Sequence, residues 1–140
     1  MKCSYCTKTC PDTMGFDEGD TICETCGANL MTIKELIKQS HDTAKEKGWW
    51  DDPRTFGENI ALCHSELSEA YEEFRNYSKF TEIYYNDGNS KPEGIPIEIA
   101  DVLIRIGDLC GRYNIDLESA VELKLEYNKT RPYRHGNKKN

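Results

Sequence analysis

The 140-residue chain contains no apolar run of about 18 residues, so no segment is predicted to cross a membrane as a helix. It also lacks a charged-then-apolar leader at its amino end. On these two absences the expectation is a soluble, cytoplasmic protein. Positive charge is short as well: 18 Lys and Arg stand against 25 Asp and Glu, for a net charge of -7 and a pI near 5.0. No overall cationic field exists to attract nucleic acid generally, so an anionic ligand must be met locally, by metal and a few well-placed bases. Beyond residue 30 no convincing strand pattern and no internal repeat occurs, which excludes a βαβ frame and a repeat array.

Cysteine, by contrast, is plentiful. Seven occur, and Cys3-Ser4-Tyr5-Cys6 and Cys23-Glu24-Thr25-Cys26 form two CxxC pairs separated by sixteen residues. Each pair can turn two thiolates toward one tetrahedral ion, and the separation suits a structural zinc site. Gly27 after the second pair, with Gly15 and Gly19 in the span, supplies permissive backbone for tight turns. Residues 1–30 therefore read as a small zinc ribbon. With almost no apolar core of its own, the ribbon would be folded by metal binding worth roughly 10 to 16 kcal/mol. The absent secretion signal disfavours disulfides, and a redox CxxC would call for the missing βαβ pattern. Cys10 is a spare thiol or a substitute for Cys3 or Cys6. Cys63 and Cys110 read as small core residues.

Residues 31–140 read as an all-α, four-helix domain ending in a basic tail. Thr32 followed by Glu35 suggests a capping box for the first helix, with Ile33, Leu36, Ile37, Ser40 and Ala44 as its buried stripe and Gly48 as its end. Pro53 breaks the chain after Trp49-Trp50-Asp51-Asp52. A second helix is predicted from Thr55 or Phe56 to Tyr77. The segment from Lys79 to Gly94 reads as a loop containing a short helical turn near Phe80 to Tyr85. Pro96 opens a third helix reaching Tyr113, and Asp116 caps a fourth that ends near Asn128.

Acids stand out on the second and third helices. Glu66 with Glu69, and Glu98 with Asp101, are each three residues apart, so each pair presents two carboxylates on one helical face. Solvated helix faces are the usual home of such acids. These, however, are flanked by the apolar residues Ile60, Cys63, Leu67, Ala70, Tyr71 and Phe74, or sit inside the run from Ile95 to Leu109. Two such helices side by side would gather four carboxylates. Like charges about 4 Å apart repel by roughly 4 kcal/mol at an effective dielectric near 20, a cost that a divalent cation removes. Hard oxygen ligands suit magnesium or manganese. Glu73, one turn beyond Glu69, is a reserve ligand. Lys124 and Asn128 share a face four residues apart, and the tail Lys129, Arg131, Arg134, Lys138 and Lys139 contains no acid. Arg131 is the tail's candidate for ligand binding, whereas Lys138 and Lys139 read as a solvated terminus.

The order Glu66xxGlu69, a spacer of 28 residues, then Glu98xxAsp101 resembles the motif of the MazG-like all-α nucleoside triphosphate pyrophosphohydrolases, including the dCTP pyrophosphatase branch. The likeness covers about residues 33 to 138. The stretch from Lys124 to Tyr133 resembles the region after the last helix where relatives carry a Lys and an Asn for the phosphates. His41 and Trp50 resemble the His and Trp that contact and stack on the base, although both also fit as packed helix or interface residues. Ser65 stands where many relatives have a second acid, and Arg105 where some have a Tyr.

The resemblance implies Mg-dependent attack of water on the α-phosphorus, giving a nucleoside monophosphate and pyrophosphate. Glu66, Glu69, Glu98 and Asp101 would hold metal, or one of the first pair, with Glu69 the candidate, would orient the water instead. On the resemblance Lys124 and Asn128 would meet phosphate; Arg105 and Arg131 join them by their charge and position in this sequence rather than by the likeness. A homodimer or a homotetramer is implied too, and composition agrees: a third helix apolar nearly all round leaves one side uncovered in a single four-helix layer. The alternative is a non-catalytic nucleotide-binding or regulatory module whose ribbon recognises protein or nucleic acid.

Overall fold

The computed structural model describes residues 13–15, 21–23, 31–52, 54–86, 88 and 90–133. The chain divides into two units, Met1–Thr32 and Ile33–Asn140. In the first, strands β1 (Thr13–Gly15) and β2 (Thr21–Cys23) pair antiparallel, with Met14 opposite Ile22. Cys3, Cys6, Cys10 and Cys26 lie outside the described residues, as does the proposed tail beyond residue 133.

The second unit is mostly helical. Among the described residues it has four helices, α1 (Ile33–Glu46), α2 (Phe56–Tyr77), α3 (Ile95–Tyr113) and α4 (Leu117–Lys129), and almost no strand. No helix among them is long and apolar enough to cross a membrane. Local chemistry sets the helix ends. Gly48, at φ +76°, takes the left-handed turn that closes α1. At the start of α2, Thr55 and Glu58 form a reciprocal capping box, each satisfying the other's backbone amide. The Asp116 side chain accepts from the Ser119 amide to cap α4.

α3 is the central element and packs against both α1 and α2. Its buried residues Ile95, Val102, Leu109 and Cys110 form the core with Ala44 of α1. α1 approaches α3 closely because α3 carries glycine at two positions one turn apart. A Cβ at Gly107 would stand 2.9 Å from Ser40 Oγ, and one at Gly111 only 2.5 Å from His41 Cβ. α4 leans on α1 near its start, where Lys34 pairs with Glu118 at 3.0 Å, and none of its residues is buried.

One sequence expectation needs correction. The turn expected near Phe80 to Tyr85 is not helical: β3 (Tyr84–Tyr85) pairs antiparallel with β4 (Pro92–Glu93) to make a short hairpin. Tyr84 donates a hydrogen bond from Oη to Glu73 on α2 at 2.9 Å, and Phe80 packs on Phe74 at 5.5 Å between ring centroids, so side chains at both ends of the segment are drawn to α2. These long-range contacts overrode a local reading.

On α2 the face that carries Glu66 turns inward, as the gathering of acids from two side-by-side helices requires. The buried residues are Asn59 and Glu66, while Ile60, Leu67, Tyr71 and Phe74 of the expected apolar stripe are exposed in the single chain. The 3.6-residue period marks a stripe but not its partner. Here α3 offers α2 charged side chains, and the acids of α2 turn toward them, leaving the apolar stripe about 100° round the helix.

Candidate metal centre

Glu66, Glu69 and Glu98 each place a carboxylate oxygen within 4.8 Å of the others, joining two helices at one point. Glu66 and Glu98 are buried, at 7% and 3% exposure, and Glu69 is exposed. At such separations each pair of ionised acids repels by on the order of 3 kcal/mol at an effective dielectric near 20. Asp101, one turn along α3 and half-buried, lies outside this 4.8 Å set, so three acids rather than four form the tightest group.

Arg105 donates from Nε to Glu66 Oε1 at 2.8 Å, an ion pair that compensates one of the buried charges. The Glu98 amide donates to the Gly94 carbonyl at 3.2 Å, but its carboxylate has no ion-pair partner among the described residues. Burial pushes the Glu98 carboxyl above its ordinary value, and the Glu69 charge pushes it further, against the opposing pull of Lys91. Burial likewise raises Asp101, followed by the Glu66 charge, with Lys91 and Arg105 opposing. Lys91 comes from the hairpin, where it pairs with Glu93 at 3.1 Å. Sequence reading passed over Lys91 because its relation to the acids depends on how the hairpin folds back.

These shifts predict a pH dependence for chelator-treated protein. Each acid keeps its proton to a higher pH in the fold than in the unfolded chain. Between the two pKa values the folded state therefore binds more protons, and stability rises as pH falls. Above the folded pKa the destabilisation is fully present. Asp42, Glu58 and Asp116 are shifted downward and act in the opposite sense, but they lie on the surface, where solvent screening weakens them. Thermal melts in chelator should accordingly show a gain on lowering pH from 7 toward the ordinary carboxylate range, and a Glu98→Gln protein should lack most of it.

The remaining candidates fall in two further places. His41 Nδ1 and Trp50 Nε1 both lie 2.8 Å from the same oxygen of Asp108 on α3. The two rings meet edge to face at 6.0 Å, and the Arg112 guanidinium lies 4.9 Å from the centre of the Trp50 ring. Asp108 was missed in the sequence, although a signal existed: it stands seven residues beyond Asp101, on the same helical face. Lys124 and Arg131 both lie over the Tyr127 ring, at 4.8 and 5.9 Å, and Asn128 is exposed on the same helix. Lys124 and Arg131 are not among the charges that act most on Glu98 and Asp101, and the helix that α4 packs on most is α1. Glu73 is engaged by Tyr84 rather than by the acids. Together with Tyr77, Lys79, Glu82, Tyr84 and Gly94 it lines a cavity of about 190 Å³ at the hairpin base. Cys110 is buried and Cys63 half-buried, and burial raises both thiols.

Comparison with protein-family models, with curated proteins and with solved structures finds no match to this chain.

Proposed function

We propose that the unit Ile33–Asn140 hydrolyses nucleoside triphosphates to a nucleoside monophosphate and pyrophosphate, using magnesium or manganese held by Glu66, Glu69, Glu98 and Asp101. The observation that carries this reading is the convergence of three carboxylates within 4.8 Å, two of them buried, with a single guanidinium beside them. A set made only of hard carboxylate oxygens fits Mg²⁺ or Mn²⁺ and does not fit a soft-metal site. Bound there, such an ion supplies Lewis-acid polarisation of the phosphate oxygens. Glu69, the exposed acid, takes a proton from the attacking water. The water oxygen bonds to the α-phosphorus, the bond to the bridging oxygen breaks, and pyrophosphate leaves with the electron pair. Arg105 and Lys91 are the cations at hand to neutralise the phosphates. Incubation with a panel of nucleoside triphosphates and Mg²⁺ tests the proposal: equal amounts of monophosphate and pyrophosphate are expected. Release of inorganic phosphate, or binding without turnover, would refute it.

The same reading makes the protein a dimer or a dimer of dimers. Leu67 and Tyr71 of α2, Ile99 and Leu103 of α3, and Leu123 and Leu125 of α4 are all exposed in the single chain, and no large side chain is fully enclosed among the described residues. Pairing about a two-fold axis covers apolar surface of this kind. It also lets Lys124, Asn128 and Arg131 meet phosphate in a neighbour's site. Light scattering at micromolar concentration is expected to give a multiple of the 16.1 kDa chain mass. Mixing inactive Glu69→Gln and Arg131→Ala chains should restore activity. A persistent monomer would refute the assembly, and unrestored activity the shared site.

For Met1–Thr32 we propose structural zinc on Cys3, Cys6, Cys23 and Cys26. Metal analysis should find about one zinc per chain, lost in a Cys23→Ser, Cys26→Ser double variant whose helical circular dichroism persists. Protein purified under reducing conditions without tightly bound zinc would contradict this.

A further inference from the structure

The polar residues of α3 are not scattered. Glu98, Asp101, Arg105, Asp108 and Arg112 follow one another at intervals of three and four, so they fall on one face of the helix and form a continuous charged stripe. Its first half reaches α2 through the Arg105–Glu66 pair, and its second half reaches α1 and the following loop through Asp108. Asp101 and Asp108 are two turns apart, about 10 Å along the axis. That is comparable with the reach from the α-phosphorus of a nucleotide to the far edge of its base.

Asp108 is an unusual centre for the second half. One carboxylate oxygen takes both contacts, from His41 Nδ1 and Trp50 Nε1, each at 2.8 Å. An indole nitrogen can only donate, and a carboxylate can only accept, so the imidazole must carry its proton on Nδ1. In neutral His41 this leaves Nε2 bare, an acceptor for an N–H group. Gly111 sets the ring from below: its missing Cβ would come within 2.7 Å of His41 Cγ. Arg112 faces the Trp50 ring at 4.9 Å from its centroid. The two side chains are thus held as one unit by a single carboxylate.

We propose that Asp108 is the positioning residue of a nucleobase subsite, fixing His41 in the Nδ1–H tautomer and Trp50 in a set ring plane, while touching no part of the nucleotide itself. This rests on the reading of the acidic cluster as a phosphate site, and it adds the residue that orients the other end of the substrate. All common bases carry an N–H group that Nε2 can accept, so Asp108 acts on orientation and affinity.

Two measurements test it. Long-range ¹H–¹⁵N spectra of the imidazoles at pH 8, with His41 assigned by its absence in a His41→Asn protein, should show protonated Nδ1 and bare Nε2. Asp108→Asn, whose amide oxygen still accepts both contacts, keeps that tautomer, and Asp108→Ala loses it. The second measurement uses Trp49→Phe protein, in which Trp50 is the one tryptophan left of two. Its emission is titrated with α,β-imido analogues of the common ribo- and deoxyribonucleoside triphosphates in Mg²⁺. Asp108→Ala should weaken binding by about tenfold or more, the worth of two ordered contacts, and Asp108→Asn should restore affinity to within about threefold. An Nε2–H tautomer in the unaltered protein, or equal affinity in all three proteins, would overturn the positioning role and leave the phosphate reading standing. Failure of the Trp49→Phe protein to bind any analogue would overturn both. Should Asp108→Ala not fold, an Asp108→Asn protein that binds normally but has lost the tautomer overturns the proposal on its own.

Discussion

Glu98→Gln is expected to melt above the unaltered protein in chelator, yet to hydrolyse triphosphate with Mg²⁺ at less than about one-thousandth of its rate. The two effects have one origin. Glu98 is 3% exposed, forms no ion pair among the described residues, and has a carboxylate oxygen within 4.8 Å of two other acids. Its charge is a cost to the metal-free fold, which an amide of the same shape removes. The same charge is what a divalent ion requires, and a thousandfold loss corresponds to roughly 4 kcal/mol of transition-state stabilisation. Asp101→Asn and Glu69→Gln should fail in turnover in the same way, with smaller gains in stability because both side chains are more exposed. Rates near that of the unaltered protein at saturating Mg²⁺ for these variants would show that the cluster is not the catalytic centre.

The largest loss of stability is expected at a glycine. At Gly111 a Cβ would lie 2.5 Å from His41 Cβ, a contact among rigidly held atoms that neither helix can relieve by rotating a flexible side chain. Gly111→Val should therefore force α1 away from α3. Overpacking of this kind costs about 1 to 3 kcal/mol. In a domain of this size each kcal/mol moves the melting temperature by roughly 4 to 8 °C, so a fall of about 10 °C is expected. Gly57→Ala is the matched control, because the nearest atom to its Cβ would be Thr55 Oγ1 at 4.0 Å. There the gain in helix propensity acts alone and stabilises by up to about 1 kcal/mol. Thermal melts followed by circular dichroism compare the two, and a Gly111→Val protein that melts with the control would remove the close approach as an explanation of how His41 is held.

Helix limits were legible because they are local. Pro96, Gly48 and Asp116 act on their own backbone neighbours, and the helices begin and end within a residue or two of where these residues direct. The pairing of acids three apart was legible for the same reason. Three things were not. Arg105 could be read as a phosphate contact but not as the partner of Glu66, since that depends on how α2 and α3 are rotated against each other. Asp108 carries no local signature of its two ring partners, which lie 67 and 58 residues away. The exposure of the apolar stripe of α2 in the single chain was not legible, because two stripes, one charged and one apolar, share a period, and only the neighbouring helix decides which is covered.

The hairpin between α2 and α3 acts as a strut that fixes the phase of one helix against the other. Gly94, at φ +116°, enters α3 with its backbone so near the Glu82 carbonyl that a Cβ would stand 2.5 Å from it, and Tyr84 anchors the preceding strand to Glu73. Advancing α3 by a single residue would shift Glu98 by about 1.5 Å along the axis and swing it by about 100°, out of the cluster. Mutually repelling acids cannot select that alignment for themselves; the connection and the Arg105–Glu66 pair hold it. Length is consequently free to drift at the hairpin tip around Gly88, which is exposed and where an added Cβ would meet nothing within 4 Å. Between Glu93 and Ile95, one inserted residue would dephase the two acid pairs while leaving every acid in the chain.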